Sequence, residues 1–220
     1  MLTLFTPKSC NPTNPSMYRV HSFEEKNVDE ILTFMQAHPF ITLIGFDGLY
    51  PVATQVPVQI YRDDNNIQLI GHVMKKTDHY DAYLQNENVL ALFTGAHAYV
   101  SDSVYEKPAV ASTWNYKSVQ AKGKIRMLNT DETREVIMNL TNSYEDPATS
   151  PAAFHQMDNA YIEQHLKAIS GFEITVTNLD AVFKLSQNHG EENRRAIVEN
   201  LEKNGNADAL AIAGQMRKNL

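Results

Sequence analysis

The sequence predicts an α+β protein: an antiparallel β region of about six strands with flanking helices, followed by a C-terminal helical extension. Three observations carry that reading. Asp47-Gly48 stands between two β-prone runs, a strong short-range hairpin signal. Between residues 40 and 128, strand-like runs alternate with short polar turns. The strands and helices do not follow a regular strand-helix-strand rhythm, which argues against a doubly wound parallel sheet.

Taken in order, residues 1–16 carry Pro7, Pro12 and Pro15 and read as irregular. Ser22 and Glu25 have capping-box spacing ahead of a helix whose Val28, Ile31, Leu32 and Met35 share one face. Pro39 ends it. Residues 40–61 read as two strands joined at Asp47-Gly48, and Asp63 to Asn66 as a second turn. Ile67 to Val73 is a strand. Lys76 to Asn86 reads as a short helix with Tyr80, Tyr83 and Leu84 on one side. Val89 to Phe93 and Ala98 to Val100 are strand-like. In Ser118 to Leu128, Val119, Ala121, Gly123 and Ile125 alternate with the charged Lys122, Lys124 and Arg126.

The rest is mostly helical. Thr130 can cap a helix carrying Val136, Ile137 and Leu140. Pro151 and Asp158 frame another, with Tyr161, Leu166 and Ile169 as its expected buried positions. Phe172 to Val176 alternates like a strand and completes the sheet. Two helices, near 191–203 and 207–218, close the chain around a turn at Gly205.

The bulk numbers set limits on function. The 220 residues are 43% hydrophobic and 20% charged, enough apolar material for a real core. The net charge of −7 argues against bulk electrostatic binding of DNA, while leaving room for a local basic patch. The single cysteine, Cys10, excludes an intrachain disulfide and a cysteine zinc cluster, and reads as a free thiol. There is no 18-residue apolar run and no signal-like start, so no membrane association is expected, and the expected location is the cytoplasm. Nor is there a GxGxxG after a strand, a Walker A sequence, an HExxH or a GxSxG. The eight histidines do not fall at metal-ligand spacing, so no metal is expected.

Two stretches carry chemistry. In Gly71-His72-Val73-Met74-Lys75-Lys76-Thr77-Asp78, a strand delivers a glycine, two lysines and a threonine to a helix start. Flexible backbone, two cations, a hydroxyl and free helix N–H groups suit a phosphate monoester. The same residues also read as a solvated lysine pair. The second stretch is Ala98-Tyr99-Val100-Ser101, Tyr105 and Ser112-Thr113-Trp114-Asn115-Tyr116. Trp114 could wall a flat ring, and Asn115 could offer both donor and acceptor to its polar edge. Trp114 and Tyr116 equally read as core aromatics beside a loop.

Several segments together resemble the PaiB family, described as FMN-binding negative transcriptional regulators. They are Ala53-Thr54-Gln55-Val56-Pro57, Gly71-His72, Phe93-Thr94-Gly95-Ala96-His97-Ala98-Tyr99-Val100-Ser101, Tyr105, Thr113-Trp114-Asn115-Tyr116 and Phe183-Lys184-Leu185-Ser186-Gln187-Asn188. The resemblance runs from about residue 17 to 203 and is most distinctive in the last three runs. It implies a six-stranded split β-barrel, as in pyridoxamine-phosphate-oxidase-like flavoproteins, with FMN held between the subunits of a homodimer. Residues 17–188 would form the barrel with inserted helices, and 189–220 the helical extension. Lys75, Lys76 and Thr77 would hold the phosphate. Thr54, Gln55, Val56 and Pro57 would line the flavin through backbone groups, beside Gly71 and His72. Tyr99, Trp114 and Asn115 are expected nearby, with the partner chain as one source.

Two positions depart from the family pattern. Gln55 stands where many members have histidine, and Met74 to Asp78 replaces an Ala-Arg-Ala-Asn-Pro-like run. The regulator label implies DNA or a regulatory protein as partner. The final helix offers only Arg217 and Lys218 at its far end, however, so the sequence does not support direct DNA reading. Two other readings stay open. One is an FMN-dependent oxidoreductase of a small substrate, with His72 and Tyr99 as candidate proton-transfer groups and no catalytic residue fixed. The other is a flavin-free scaffold, with a haem-binding variant that would use His189 or His72. Lys184, Ser186, Gln187 and Asn188 could close a pocket, brace a dimer or form a solvated turn.

Overall fold

The computed structural model describes residues 20–63, 66–106, 111–203 and 206–220. Cys10, the proline-bearing start and the Gly205 turn lie outside the described residues. The chain runs α1 (Val28–Ala37), β1 (Phe40–Phe46), β2 (Pro51–Arg62), β3 (Ile67–Met74), α2 (Asp78–Gln85), β4 (Asn88–Val100), β5 (Thr113–Met127), α3 (Thr130–Tyr144), α4 (Asn159–Ala168), β6 (Ile169–Lys184), α5 (Glu191–Lys203) and α6 (Ala207–Arg217), with short 3₁₀ turns between. The strands form a closed barrel in the order β1-β2-β3-β6-β5-β4. The expected α+β class, with six strands and flanking helices, is what the chain adopts.

Contacts divide the chain into two compact units. One is built from Phe34–Phe93 and Gln120–Leu179. Its strands alternate as a barrel requires. In β3, Ile67, Leu69, Gly71 and Val73 are buried, while Gln68, Ile70 and His72 between them are half-buried. Ile41, Leu43, Leu69, Phe93, Phe172 and Ile174 form the fully buried interior. The Tyr83 ring of α2 is buried, and its hydroxyl donates to the Leu43 carbonyl at 3.2 Å. That burial pushes the Tyr83 pKa up. The other unit takes the described residues up to Thr33, Thr94–Val119 and Asp180–Leu220. Its core joins Val100 and Tyr105 to Leu185 and to Ile197, Leu201, Ile212 and Met216 of α5 and α6.

Element boundaries differ from expectation in several places; β5 already starts at Thr113, and β6 runs from Ile169 to Lys184. The Ser22–Glu25 box does not start α1: His21–Phe23 is a 3₁₀ turn. Asn27 Oδ1 instead accepts from Asp29 N at 3.0 Å at the start of Val28–Ala37. Asn129, not Thr130, caps α3, in a reciprocal capping box with Glu132. The two runs at 89–93 and 98–100 are one strand of 13 residues. Of the residues expected to be buried on α4, Leu166 is, whereas Tyr161 is exposed and Ile169 already begins β6. Among the described residues, no helix is long and apolar enough to cross a membrane. No group of three or more His, Cys, Asp or Glu side chains among them is placed to hold a metal ion.

Candidate functional site

In the first unit, β2 changes partner at Pro57. Pro51 to Pro57 pair with β1, from Phe46↔Pro51 to Phe40↔Pro57. Val58 to Arg62 pair with β3, starting at Val58↔Gly71. The β3 register therefore does not extend along the Thr54–Pro57 segment. Val56 is buried, Thr54 and Pro57 are half-buried, and Gln55 is exposed. Gly71 is demanded by packing. A Cβ there would sit 2.7 Å from Phe172 Cζ and 2.8 Å from the Pro57 carbonyl oxygen.

Beyond Gly71, β3 runs into a corner. Lys75 N donates to the Ala168 carbonyl at 2.8 Å, and Lys75 Nζ lies 3.3 Å from the Leu166 carbonyl. Lys76 has φ 60°, the left-handed region. This turns the chain so that Thr77 can cap α2: Oγ1 accepts from Tyr80 N at 3.3 Å and donates to the Met74 carbonyl at 3.0 Å. The Lys76 side chain is exposed. Two cations, a left-handed backbone residue and a helix N-terminus are the components of a phosphate cradle. Asp78 and Asp81 stand in the first turn of α2 and offset part of that positive charge.

His72 lies on the outward face of β3, half-buried and paired in register with Gly171. Its Nδ1 is buried without a hydrogen-bond partner among the described residues. Burial lowers its pKa below the ordinary 6.5, which holds the ring neutral at physiological pH.

Tyr99, Trp114 and Asn115 belong to the second unit. Asn115 is fully buried. Its Nδ2 donates to Ser186 Oγ at 2.9 Å and lies 3.4 Å from Met216 Sδ, while its Oδ1 accepts from Ser186 Oγ at 3.1 Å. Trp114 is not a core aromatic: it is the second residue of β5 and is 51% exposed. Tyr99, equally exposed, meets it edge to face at 5.8 Å.

The Lys184–Asn188 run is a braced turn. Gln187 Oε1 accepts from Leu185 N at 2.6 Å, Gln187 Nε2 donates to the Phe183 carbonyl at 2.5 Å, and Ser186 is left-handed at φ 59°. His189 stacks on Tyr105 at 4.7 Å. Sequence reasoning did not anticipate the Asn115–Ser186 bond, and no local signal announces a bond between residues 71 apart.

Residues 17–178 match the family described as "Putative FMN-binding domain". The chain is 32% identical over 204 residues to the protease synthase and sporulation protein PAI 2 of Bacillus subtilis, covering 93% of this chain and 98% of that protein. It is also 32% identical over 219 residues to an uncharacterized protein of Emericella nidulans, covering 86% and 87%. Among solved structures, the flavocytochrome Anf3 of Azotobacter vinelandii aligns with TM-score 0.59 and 12% identity, covering 81% of this chain and 78% of that one. The FAD and heme binding protein of Mycobacterium smegmatis aligns with TM-score 0.55 and 14% identity, covering 73% of each. At such identities these two show a shared fold. The sequence matches go further: the chain belongs to the FMN-binding family that includes the PaiB protein of Bacillus subtilis.

Proposed function

We propose that the chain binds FMN with its phosphate at the β3–α2 corner, as a homodimer, and acts as a PaiB-type negative regulator. The observation that carries this reading is the juxtaposition in one unit of Lys75, Lys76 and Thr77 with the segment of β2 outside the β3 register. Lys75 and Lys76 would neutralise the phosphate, and Thr77, by capping α2, would fix the orientation of the helix start beside it. Peptide groups of Thr54–Pro57 would meet the polar edge of the ring, with Gln55 exposed beside them. Bound FMN supplies a redox centre. His72, neutral and with Nδ1 unpaired, offers that region a hydrogen-bonding atom but no charge. In the second unit Asn115 is committed to Ser186, and Tyr99 and Trp114 line a cleft.

The homodimer is supported by the β1–β2 hairpin, whose Phe40, Phe46, Leu49 and Tyr50 are exposed apolar groups. With a net charge of −7, regulation through a protein partner or a flavin redox signal is favoured over direct DNA binding. Equilibrium titration with FMN and riboflavin tests the site, because riboflavin lacks the phosphate. FMN should bind at least tenfold more tightly, and the Lys75→Ala/Lys76→Ala variant should erase that preference. Equal affinity for the two flavins in the wild-type protein would sink the assignment. Sedimentation equilibrium tests the dimer, and a monomer at all loading concentrations would refute it.

A further inference from the structure

We propose that a cleft in the second unit binds a small organic ammonium cation, held by the Tyr99 and Trp114 rings and the Asp208 carboxylate. The strand period builds it. On β4, His97 and Tyr99 are exposed and Ala98 between them is buried, so the two rings share one outward face. Trp114, on the neighbouring strand β5, leans against both, 5.6 Å from the His97 ring and 5.8 Å from the Tyr99 ring. Asn206 Oδ1 caps α6 by accepting from Asp208 N at 2.8 Å, which fixes Asp208 in the first turn. Its carboxylate lies 3.9 Å from His97 Nδ1 and is half exposed.

The cleft is open to one side and has a volume of about 360 Å³, within the usual range for small-ligand sites. Buried Ala98, Leu201 and Ala209 give it an apolar floor. No Lys or Arg among the described residues lines it. Aromatic faces carry negative quadrupole density, and tryptophan is the best of them for a cation. A carboxylate at the rim adds net attraction, and the apolar floor suits alkyl substituents rather than a hydrated metal ion. The rings cross at 66° and 44°. Such tilted, edge-on rings shape the cleft for a compact group.

Trp114 is the chain's one tryptophan, so its emission reports the cleft directly. The purified protein is titrated with choline, n-butylammonium and 3,3-dimethylbutan-1-ol, the uncharged isostere of choline, by fluorescence and calorimetry together. A saturable Trp114 response to the cations is expected, with the alcohol at least tenfold weaker. Asp208→Asn should weaken choline at least fivefold, and Tyr99→Ala should do the same while leaving the far-ultraviolet circular dichroism unchanged. The proposal is overturned by equal affinity for alcohol and choline, by the absence of saturable heat and emission change, or by FMN displacing choline competitively. FMN uptake is read separately by visible absorption and should be the same for Asp208→Asn and wild type. A protein that fails to take up FMN but binds choline would refute the flavin site and leave this one standing.

Discussion

Asn115 and Ser186 are bonded to each other twice, across 71 positions of chain. Asn115 Nδ2 donates to Ser186 Oγ at 2.9 Å, and that hydroxyl donates back to Asn115 Oδ1 at 3.1 Å. Both residues are almost completely buried. Removing one partner strands the other without water, so Asn115→Ala should cost about 2 kcal/mol, or roughly 4–8 °C in melting temperature. An unchanged melting temperature would contradict the pairing. Ser186 is also left-handed. Ser186→Ala should therefore be less stable than Ser186→Gly by about 1 kcal/mol, since both lose the hydroxyl and only glycine relieves the backbone.

Gly71 and Gly214 should respond to alanine with opposite signs. At Gly71 the added methyl meets Phe172 and the Pro57 carbonyl at under 3 Å, and a β-strand backbone cannot step aside cheaply. Gly71→Ala should destabilise the protein by about 1–3 kcal/mol. Gly214 sits inside α6 with nothing within 4 Å of the added carbon. Gly214→Ala should stabilise by about 0.5–1 kcal/mol through helix propensity. Urea unfolding of the two variants beside wild type decides both, and equal effects would refute the contrast.

His72 should make stability fall on the acid side. Its folded pKa is below the ordinary 6.5, so below that pH the unfolded chain binds a proton that the folded chain resists. The stabilising contribution is complete above pH 6.5 and declines as pH drops from there through the lower folded value. Melting temperatures measured from pH 8 to pH 5 should fall less for His72→Gln than for wild type. Parallel curves would show that His72 is not the group responsible.

Much of the fold can be read from local sequence. The Asp47-Gly48 hairpin, the β3 alternation and the two closing helices each lie within one segment and follow period and turn chemistry. The Lys75–Thr77 corner is legible for the same reason: its cations, helix start and capping hydroxyl are neighbours in the chain. Other features depend on the tertiary structure. β4 runs unbroken through Thr94–His97, a stretch with little strand propensity of its own that lies within the barrel. The exposure of Trp114 reverses the usual expectation for a lone tryptophan. The Asn115–Ser186 bond joins distant residues, and Asp208 reaches the His97 ring only because α6 folds back in the second unit.

The most direct measurement is the visible absorption spectrum of the purified protein after FMN has been added and the excess removed. Wild type should retain a two-band flavin spectrum at close to one flavin per chain, and the Lys75→Ala/Lys76→Ala variant should emerge colourless while keeping its fold by circular dichroism. A colourless wild-type protein, or a double variant as yellow as wild type, would contradict the assignment of the β3–α2 corner as the phosphate site.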